Sequence, residues 1–258
     1  MEILDKIIGT KKEEVAQFKK NVSEAQLQKI IAGLDPCRDF KKALTGSDCN
    51  IIAEVKCASP SRGRLVADFN PINIAQAYEN SGAAAISVLT DEKYFAGHKN
   101  YLTQIREKVT LPLLRKDFII DPIQIYETRC IGADAILLIV HILGKKLAEF
   151  MATSIELGLS PLVEVHSEDE LDLALNIGAE IIGINNRNLD TFLTDINTSR
   201  QLKARIPEDK ITVAESGIRN RNDVESLMQA GIHAFLIGEH LVVAPDIGNQ
   251  LRTFRGEI

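Results

Sequence analysis

Short apolar runs recur along the chain from residue 50 onward, and segments with helical polarity separate them. Most of these runs are continuous in Val, Ile and Leu, which is typical of parallel strands that helices cover. The pattern predicts eight strands, at Ile51–Lys56, Ala84–Thr90, Leu113–Lys116, Ala135–Val140, Leu162–Val165, Ile181–Asn185, Thr212–Ala214 and Ala234–Ile237.

Helix signals occupy the segments between the predicted strands. Asn70-Pro71 has the form of an N-cap followed by proline at the first helical position. Ser167 and Glu170 have the spacing of a capping box, in which each side chain caps the backbone of the other residue. Glycines stand where the helices should end, as C-terminal caps do, at Gly82, Gly132, Gly158, Gly178 and Gly231.

A weak internal repeat combines these signals, at residues 81–89, 131–139, 177–185 and 230–238. Each copy begins at a predicted helix end, contains a capping glycine and continues into a strand. The glycines of successive copies are 50, 46 and 53 residues apart, which is two βα units each. This eightfold alternation predicts an α/β fold of the (β/α)8 TIM-barrel type. An open doubly wound sheet is the alternative, but no GxGxxG follows the first strand, which disfavours a dinucleotide-binding version.

Residues 1–49 precede the first strand and are predicted to form an N-terminal helical extension, with the barrel at 50–258 in a single domain overall. Ser23 and Gln26 form a second capping box, and the helix that follows should stop near Gly33. The extension either packs only as structure or helps to cover the active site. Its apolar positions fall roughly on one helical stripe, at Ile3, Leu4, Ile7, Ile8, Val15 and Phe18.

Composition and charge exclude several classes of protein. With 258 residues, 45% hydrophobic and 26% charged, the chain has ordinary globular composition. A net charge of −6 disfavours nucleic-acid binding. The longest nearly apolar run, Ala135–Leu143, is much shorter than the roughly 20 residues of a membrane span. We expect a cytoplasmic protein with free thiols, and no metal site, because no CxxC or zinc-type histidine spacing is present.

Candidate chemistry lies at the carboxyl ends of the predicted strands, where barrels of this type carry their active sites. A single polar residue there is readily explained as a solvated strand end or a structural ion pair. Six of the eight strands end in this way, and buried charges are costly unless they are paired, so a functional site is the simpler explanation. The residues are Glu54 and Lys56, Arg115 to Asp117, Glu164, Asn185 to Arg187, Glu215 and Glu239.

Two lysines and three glutamates in one cavity suit acid–base chemistry; they are Lys56, Lys116, Glu54, Glu164 and Glu215. We expect a lysine among apolar walls and near another cation to have a lowered pKa and to act as a general acid near neutral pH. A glutamate would serve as the base. No Ser-His-Asp or Cys-His pattern is legible, which disfavours covalent acyl chemistry.

A phosphate site is indicated at the loops that follow the last two strands, residues 215–218 and 237–240. Each contains a glycine that lets backbone N–H groups approach an anion. The loop at 59–64, Ser-Pro-Ser-Arg-Gly-Arg, adds hydroxyls and two arginines. Together with Lys56 these loops favour a phosphorylated small-molecule substrate.

Seven ordered motifs resemble the indole-3-glycerol-phosphate synthase family: IAEVKCASPS (52–61), SVLTDEKYF-x-G (87–97), LLRKDF (113–118), LVEV (162–165), GINNRNL (183–189), AESGI (214–218) and FLIGE (235–239). The resemblance covers nearly the whole chain and extends to the N-terminal segment ILDKII. It implies a (β/α)8 barrel with an N-terminal helical extension and no cofactor or metal.

The reaction that this resemblance implies belongs to tryptophan biosynthesis. The substrate would be 1-(2-carboxyphenylamino)-1-deoxyribulose 5-phosphate, and the products indole-3-glycerol phosphate, CO₂ and water. Lys116 would be the general acid that protonates the ketone as the aromatic ring attacks it. Lys56 would pair with the substrate carboxylate or phosphate and assist dehydration. Glu164 would be the acid–base partner in dehydration, and Glu54 would orient Lys116 or share its proton transfers.

Binding roles follow from the same resemblance. Asn185, Glu215 and Ser216 would hold the sugar hydroxyls and the anilino nitrogen. The anthranilate ring would lie between Phe95, Phe118 and Leu137. The phosphate would be bound by Ser59, Gly217, Gly238 and the Glu239 backbone, with Arg187 nearby.

The chain departs from the family pattern at two places. Cys57 stands where the family commonly has Lys, and Glu239-His240 follows the glycine of the last strand. Neither change touches the predicted acid or base. The alternatives are a catalytically silent phosphate-binding barrel and an enzyme like phosphoribosylanthranilate isomerase, and Lys116→Met would separate a lyase from a binding protein. We expect a monomer without nucleic-acid or membrane partners; weak association with other pathway enzymes is left open.

Overall fold

Eight parallel strands close into a barrel in this computed structural model, which describes residues 3–188 and 193–258. Closure is made by the first and last strands, which pair in register from Asn50 with Ala234 to Ala53 with Ile237. The TIM-barrel prediction is confirmed, and the open sheet is excluded. The strands are β1 Asn50–Val55, β2 Ala85–Leu89, β3 Leu113–Lys116, β4 Ala135–Ile139, β5 Ser160–Val165, β6 Ile181–Asn185, β7 Ile211–Glu215 and β8 Ala234–Ile237.

Helices surround the barrel and precede it. A short hairpin, Ala58–Ser59 with Gly63–Arg64, lies in the loop after β1, and a 3₁₀ turn spans Gly144–Lys146. The helices are α1 Ile3–Asn21, α2 Glu24–Ile31, α3 Phe40–Ala43, α4 Pro71–Asn80, α5 Glu92–Phe95, α6 Lys99–Arg106, α7 Ile123–Cys130, α8 Val140–Leu143, α9 Leu147–Glu156, α10 Glu168–Asn176, α11 Asn197–Lys203, α12 Arg221–Met228, α13 Glu239–Val242 and α14 Ile247–Arg255.

The predicted helix ends are largely confirmed. Asn70 caps α4, with proline at its first turn, and Ser23 with Gln26 forms the reciprocal capping box of α2. The capping box predicted for α10 is only half formed. Ser167 accepts the Glu170 N–H, but the Glu170 carboxylate accepts the backbone N–H of His166 at 2.7 Å instead of that of Ser167. The five predicted capping glycines all have positive φ, as helix C-caps require.

Strand pleating divides the buried side chains into two layers. Ile51, Ala53 and Val55 face outward into the large core between strands and helices. Ile52 belongs to a separate cluster inside the barrel, and because side chains alternate, Glu54 shares its inward face. The inward row of β1 therefore changes from the apolar Ile52 to the polar Glu54 toward the carboxyl end, where the site lies.

The N-terminal segment closes the barrel from below and packs against its side. Phe40 of α3 is fully buried in the interior cluster. Val15 of α1 and Leu27 of α2 pack on Ile123 of α7. Among residues 3–188 and 193–258, no helix has the length and apolar character needed to cross a membrane.

Candidate active site

A cavity of about 630 Å³ opens at the carboxyl end of the barrel. The predicted site residues reach it from all eight strands or the loops that follow them, and all of them except Ser59 lie on its wall. Ser59 is buried in the hairpin loop, with its hydroxyl 3.5 Å from that of Ser61. The lining residues from the prediction are Glu54, Lys56, Phe95, Lys116, Phe118, Leu137, Glu164, Asn185, Arg187, Glu215, Ser216, Gly217, Gly238 and Glu239.

Lys116 lies at the centre of the cavity floor, between two buried glutamates. Its Nζ is 2.9 Å from Glu164 Oε2 and 3.0 Å from Glu215 Oε2. Strands β3, β5 and β7 are alternate strands of the barrel, so their inward side chains meet at one level. Asn185, which pairs in register with Glu215, donates to Glu164 Oε1 at 3.3 Å. The floor thus holds one cation against two carboxylates.

The expected lowering of a lysine pKa is wrong for Lys116. Burial acts to lower its pKa, but Glu164 and Glu215, with Glu54 further away, outweigh burial and raise the pKa of Lys116. Within residues 3–188 and 193–258 no second lysine pairs with the same glutamates, because the other lysine of the site, Lys56, is 3.2 Å from Glu54 instead. Lys116 is therefore a firmly charged ammonium among these side chains, and it can release a proton only when a substrate group changes this balance.

The two floor glutamates have opposite protonation preferences. Burial acts to raise the pKa of both. For Glu164 the attraction of Lys116 and His166 prevails and lowers the pKa. For Glu215 burial and the neighbouring Glu164 charge prevail and raise it. Glu215 Oε1 is also a buried oxygen without a hydrogen-bond partner, which a neutral carboxyl tolerates better than a carboxylate does. Glu164 is thus the base of the pair, and Glu215 holds a proton more readily.

A second ion pair and an aromatic wall flank this floor. Lys56 Nζ lies 5.7 Å from the centroid of the Phe95 ring, in addition to its contact with Glu54. The Phe95 and Phe118 rings are 6.0 Å apart and inclined by 37°. An aromatic ligand between these rings and Leu137 would lie beside both lysines.

The loop after β7 has the geometry of an anion cradle. Ser216 and Gly217 both have positive φ, 63° and 76°. A left-handed conformation is strained for serine, and such strain is concentrated at functional sites. Successive N–H groups in such turns can converge on an anion. The Ser216 carbonyl is held by the Asn186 side chain at 3.0 Å.

The loop after β8 completes the opposite side of the cradle. Gly238 packs directly on Glu54, and a side chain at this position would overlap the Glu54 carboxylate. Gly238 and Glu239 both line the cavity. Arg62 from the hairpin loop pairs with Glu239 across the cavity mouth at 2.8 Å, which brings a cation to the cradle.

The N-terminal extension reaches the site. Ile3, Leu4 and Ile7 of α1 line the cavity. This geometry agrees with the interpretation in which the extension helps to cover the active site, and not with a purely structural role. One turn further, Lys11 is buried and its Nζ contacts Asp91 at 3.2 Å and Asp117 at 3.0 Å.

Two of the polar residues predicted at the end of β3, Arg115 and Asp117, have a structural role. Arg115 and Asp117 flank Lys116 but point outward from the barrel, because neighbouring residues of a strand face opposite sides. Arg115 contacts Asp117 at 3.0 Å and Glu127 at 2.9 Å. The satisfied ion pair is therefore the correct explanation for this pair of residues.

Several residues near the site were not predicted from the sequence. His240 and Arg219 line the cavity, but nothing in their spacing indicated this. His166 lies two residues beyond Glu164, on the same face of the strand, and a period-2 extension of the motif Leu-Val-Glu-Val-His would have found it. In the part of the chain that the structure describes, no group of His, Cys, Asp or Glu has the arrangement of a metal site.

The closed barrel and the ionisable cavity at its carboxyl end define a (β/α)8-barrel enzyme with acid–base chemistry. Comparison with solved structures agrees on the fold. A 3-hexulose-6-phosphate synthase structure superposes with a TM-score of 0.64 at 11% identity, over 81% of this chain and 99% of that chain. A thiamine phosphate pyrophosphorylase from Pyrococcus furiosus gives 0.60 at 15% identity, over 81% and 95%.

Sequence comparisons identify the family. The indole-3-glycerol phosphate synthase family profile matches residues 4–254. Proteins of that name are 49% identical over 98% of both chains in Alkaliphilus metalliredigens, and 47% identical over 98% of this chain and 100% of that protein in Chlorobium chlorochromatii. The chain belongs to the indole-3-glycerol phosphate synthase family, and the predicted lyase activity on a phosphorylated substrate in tryptophan biosynthesis is confirmed. These matches do not support the isomerase-like or the silent alternative.

Proposed function

We propose that two residues on the cavity floor carry the proton transfers of the family reaction. Lys116 acts as general acid, and Glu164 acts as its acid–base partner. The observation that carries this proposal is the placement of Lys116 between two buried glutamates, at 2.9 and 3.0 Å. A group held in this way is fixed in position before the substrate arrives, which is the main requirement for positioned acid–base catalysis.

Ring closure begins when the aromatic carbon that bears the carboxylate attacks the ketone carbon of the sugar. The ketone oxygen gains negative charge, and Lys116 donates a proton to it. Although the neighbouring glutamates raise the pKa of Lys116, a developing alkoxide is a much stronger base than either glutamate. The carboxylate then leaves as CO₂, and its electron pair restores the aromatic ring.

Dehydration completes the indole. The new hydroxyl leaves as water after it gains a proton, and the adjacent methylene carbon loses one. Glu164 is suited to this proton exchange because its pKa is lowered, so that it is a carboxylate when the substrate binds. Lys56 lies 3.2 Å from Glu54. Lys56 would hold the leaving carboxylate first and assist departure of the hydroxyl afterwards, and Glu54 would share the proton transfers.

Substrate positioning is assigned to the walls. The anthranilate ring would lie between Phe95, Phe118 and Leu137, and the sugar would contact Asn185 and Glu215. The phosphate would be bound by Ser216, Gly217, Gly238 and the Glu239 backbone, with Arg187 nearby. Ser59 would contribute only if the hairpin loop moved toward the ligand, because its hydroxyl is buried.

Three further assignments belong to this proposal. Residues 1–49 act as an extension of the barrel that covers the ring-binding end of the cavity, as Ile3 and Ile7 support. The protein works as a monomer, with weak contacts to other pathway enzymes as an open alternative. A cytoplasmic location is favoured by four free cysteines, Cys37, Cys49, Cys57 and Cys130.

The division of roles is tested by following CO₂ and indole separately in single turnovers. Lys116→Met should release neither product, because ring closure precedes loss of CO₂. Glu164→Gln should release CO₂ while indole formation is delayed. If Glu164→Gln suppressed both products equally, Glu164 would act before decarboxylation, and the assignment to dehydration would be wrong.

A further inference from the structure

His166 connects the catalytic floor to the outside of the barrel. It faces the same side of the β5 end as Glu164, and its Nε2 lies 3.4 Å from Glu164 Oε1. Only 12% of the His166 side chain is exposed, and its Nε2 is a buried atom without a hydrogen-bond partner in the described part of the chain. The ring is thus a buried titratable group aimed at the proposed acid–base glutamate.

Glu170 holds the other side of the His166 ring. Its Oε2 accepts the His166 backbone N–H at 2.7 Å and lies 3.2 Å from His166 Nδ1. These contacts are the reason that the capping box predicted at the start of α10 is incomplete. Glu170 Oε1 lies 3.1 Å from Nδ1 of His141, whose side chain is 47% exposed.

The four residues form a continuous line from solvent to the cavity floor. Successive contacts of 3.1, 3.2 and 3.4 Å join His141, Glu170, His166 and Glu164. Glu164 itself is only 1% exposed, so a substrate above it would cut it off from water on the cavity side. The line through His166 then remains as its connection to bulk solvent.

The chemistry requires a proton from solvent in every turnover. Two protons are delivered, one to the ketone oxygen and one to the leaving hydroxyl, and one is removed from the methylene carbon. The carboxylate leaves as CO₂ without taking a proton. The enzyme therefore ends each turnover short of one proton, which must be replaced before the next.

We propose that His141, Glu170 and His166 form a proton relay that returns the missing proton to Lys116 through Glu164, whose Oε2 lies 2.9 Å from Lys116 Nζ, with His166 as the positioning residue that transfers the proton. In each turnover the His166 imidazolium gives its Nε2 proton to the Glu164 carboxylate, Glu164 gives a proton to the Lys116 amine, and the neutral His166 ring takes one proton back from solvent through His141 and Glu170. Every O–H or N–H bond that breaks is thus matched by one that forms. This inference rests on the role of Glu164 proposed above.

The electrostatic surroundings favour a charged His166. Glu164 on the same strand, Glu170 from α10 and Glu215 from β7 all act on its ring, while His141 from α8 faces Glu170. Burial acts to lower the pKa of His166, but the glutamates outweigh burial and raise it. His166 therefore holds a proton more readily than a free histidine, as a donor to Glu164 requires.

The test uses the purified full chain and His166→Ala, with His233→Ala as the matched control. His233 is exposed near the start of β8, and its ring contacts the Asp48 carbonyl oxygen. We expect kcat of His166→Ala to fall at least ~10-fold with KM little changed, as loss of part of an acid–base system produces. The solvent deuterium isotope effect on kcat should increase. Added imidazole, at constant pH and ionic strength, should restore kcat in this variant alone.

A second variant keeps the proposal testable if His166→Ala does not fold. Glu170→Gln retains an oxygen that can accept the His166 backbone N–H but cannot pass a proton, so it should show the same loss of kcat and the same isotope effect. A kcat loss without imidazole rescue or isotope effect in a folded variant would show a structural role and overturn the relay. Wild-type kinetics in both variants would also overturn it. Full activity in Glu164→Gln would instead remove the proposed role of Glu164 itself.

Discussion

The ammonium of Lys11 lies 3.0 Å from the carboxylate of Asp117, so the N-terminal helix is bound to the residue that directly follows Lys116. Both side chains are almost fully buried. Burial acts to lower the pKa of Lys11, but Asp117, Glu14 and Asp91 outweigh burial and raise it. A firmly charged lysine on α1 thus neutralises the loops that follow β2 and β3.

Lys11→Met should destabilise the protein strongly. Removal of one partner from a buried ion pair leaves an uncompensated charge, which typically costs about 3–5 kcal/mol. Urea unfolding would measure the loss, with Lys19→Met as control. Lys19 lies on the same helix and pairs with Asp121, but both are solvent-accessible, so its loss should cost less than about 1 kcal/mol. Equal effects of the two substitutions would contradict the buried-pair account.

Asp117 should make the fold sensitive to acid. Burial acts to raise its pKa, but Arg115 and Lys11 outweigh burial and lower the pKa to about 2. A carboxylate with a lowered folded-state pKa stabilises the protein above its unfolded value near 3.8, and this contribution is lost as pH falls from there toward 2. Asp117→Asn should flatten the dependence of unfolding free energy on pH in this window. An unchanged slope between the two proteins would refute the assignment.

Glu215 should have the opposite effect on stability. Because its pKa is raised above the usual 4.5, the folded state binds the proton more tightly than the unfolded chain does, and stability falls as pH rises from 4.5 through the raised value. Glu215→Gln should therefore be more stable than the parent at pH 8, by on the order of 1 kcal/mol or more. It should also lose activity. The control is Glu180→Gln, at an exposed pair with Lys41, which should change neither stability nor activity. A Glu215→Gln variant that is less stable than the parent at pH 8 would contradict the raised pKa of Glu215.

The carboxylate of Glu239 should weaken phosphate binding. It faces the proposed cradle and occupies Arg62 at 2.8 Å. Glu239→Ser would remove a like charge from the anion site and release the arginine, so KM for the phosphorylated substrate should fall by about 2- to 5-fold at low salt, and the gain should shrink as salt screens the charge. A raised KM would instead show that Glu239 is needed to position Arg62.

The sequence predicted the barrel well because its signals are local and repeated. Continuous apolar runs define each strand, and capping glycines such as Gly132 and Gly178 separate it from the preceding helix. Pleating also placed Glu54 and Lys56 on one face of β1, but whether that face points inward was open until the structure put Ile52 and Glu54 inside the barrel. What could not be predicted was which inward side chains would meet, and the charge of Lys116 depends on this. Strands β5 and β7 each bring one glutamate to Lys116, whereas Lys56 pairs with Glu54.

The missed contributions come from parts of the chain distant in sequence. The apolar stripe that contains Ile3 and Ile7 predicts a helix but not the surface on which it packs. The period-2 pattern of β5 could have placed His166 beside Glu164, but its contact with Glu170 was not predictable, because the sequence signal at Glu170 was that of a capping box. Arg115 is the opposite kind of error, a residue that was expected at the site and is not part of it. Its position beside Lys116 indicated chemistry, but its side chain points outward and pairs with Asp117 and Glu127.

The role of Lys116 is tested most directly by turnover of 1-(2-carboxyphenylamino)-1-deoxyribulose 5-phosphate, followed by indole fluorescence together with CO₂ release. The purified protein should produce both at equal rates, and Lys116→Met should lower turnover by at least ~100-fold, as loss of a positioned general acid typically does. The variant should still bind the substrate. Turnover by Lys116→Met within a few-fold of the parent rate would contradict the assignment of Lys116 as the acid that starts ring closure.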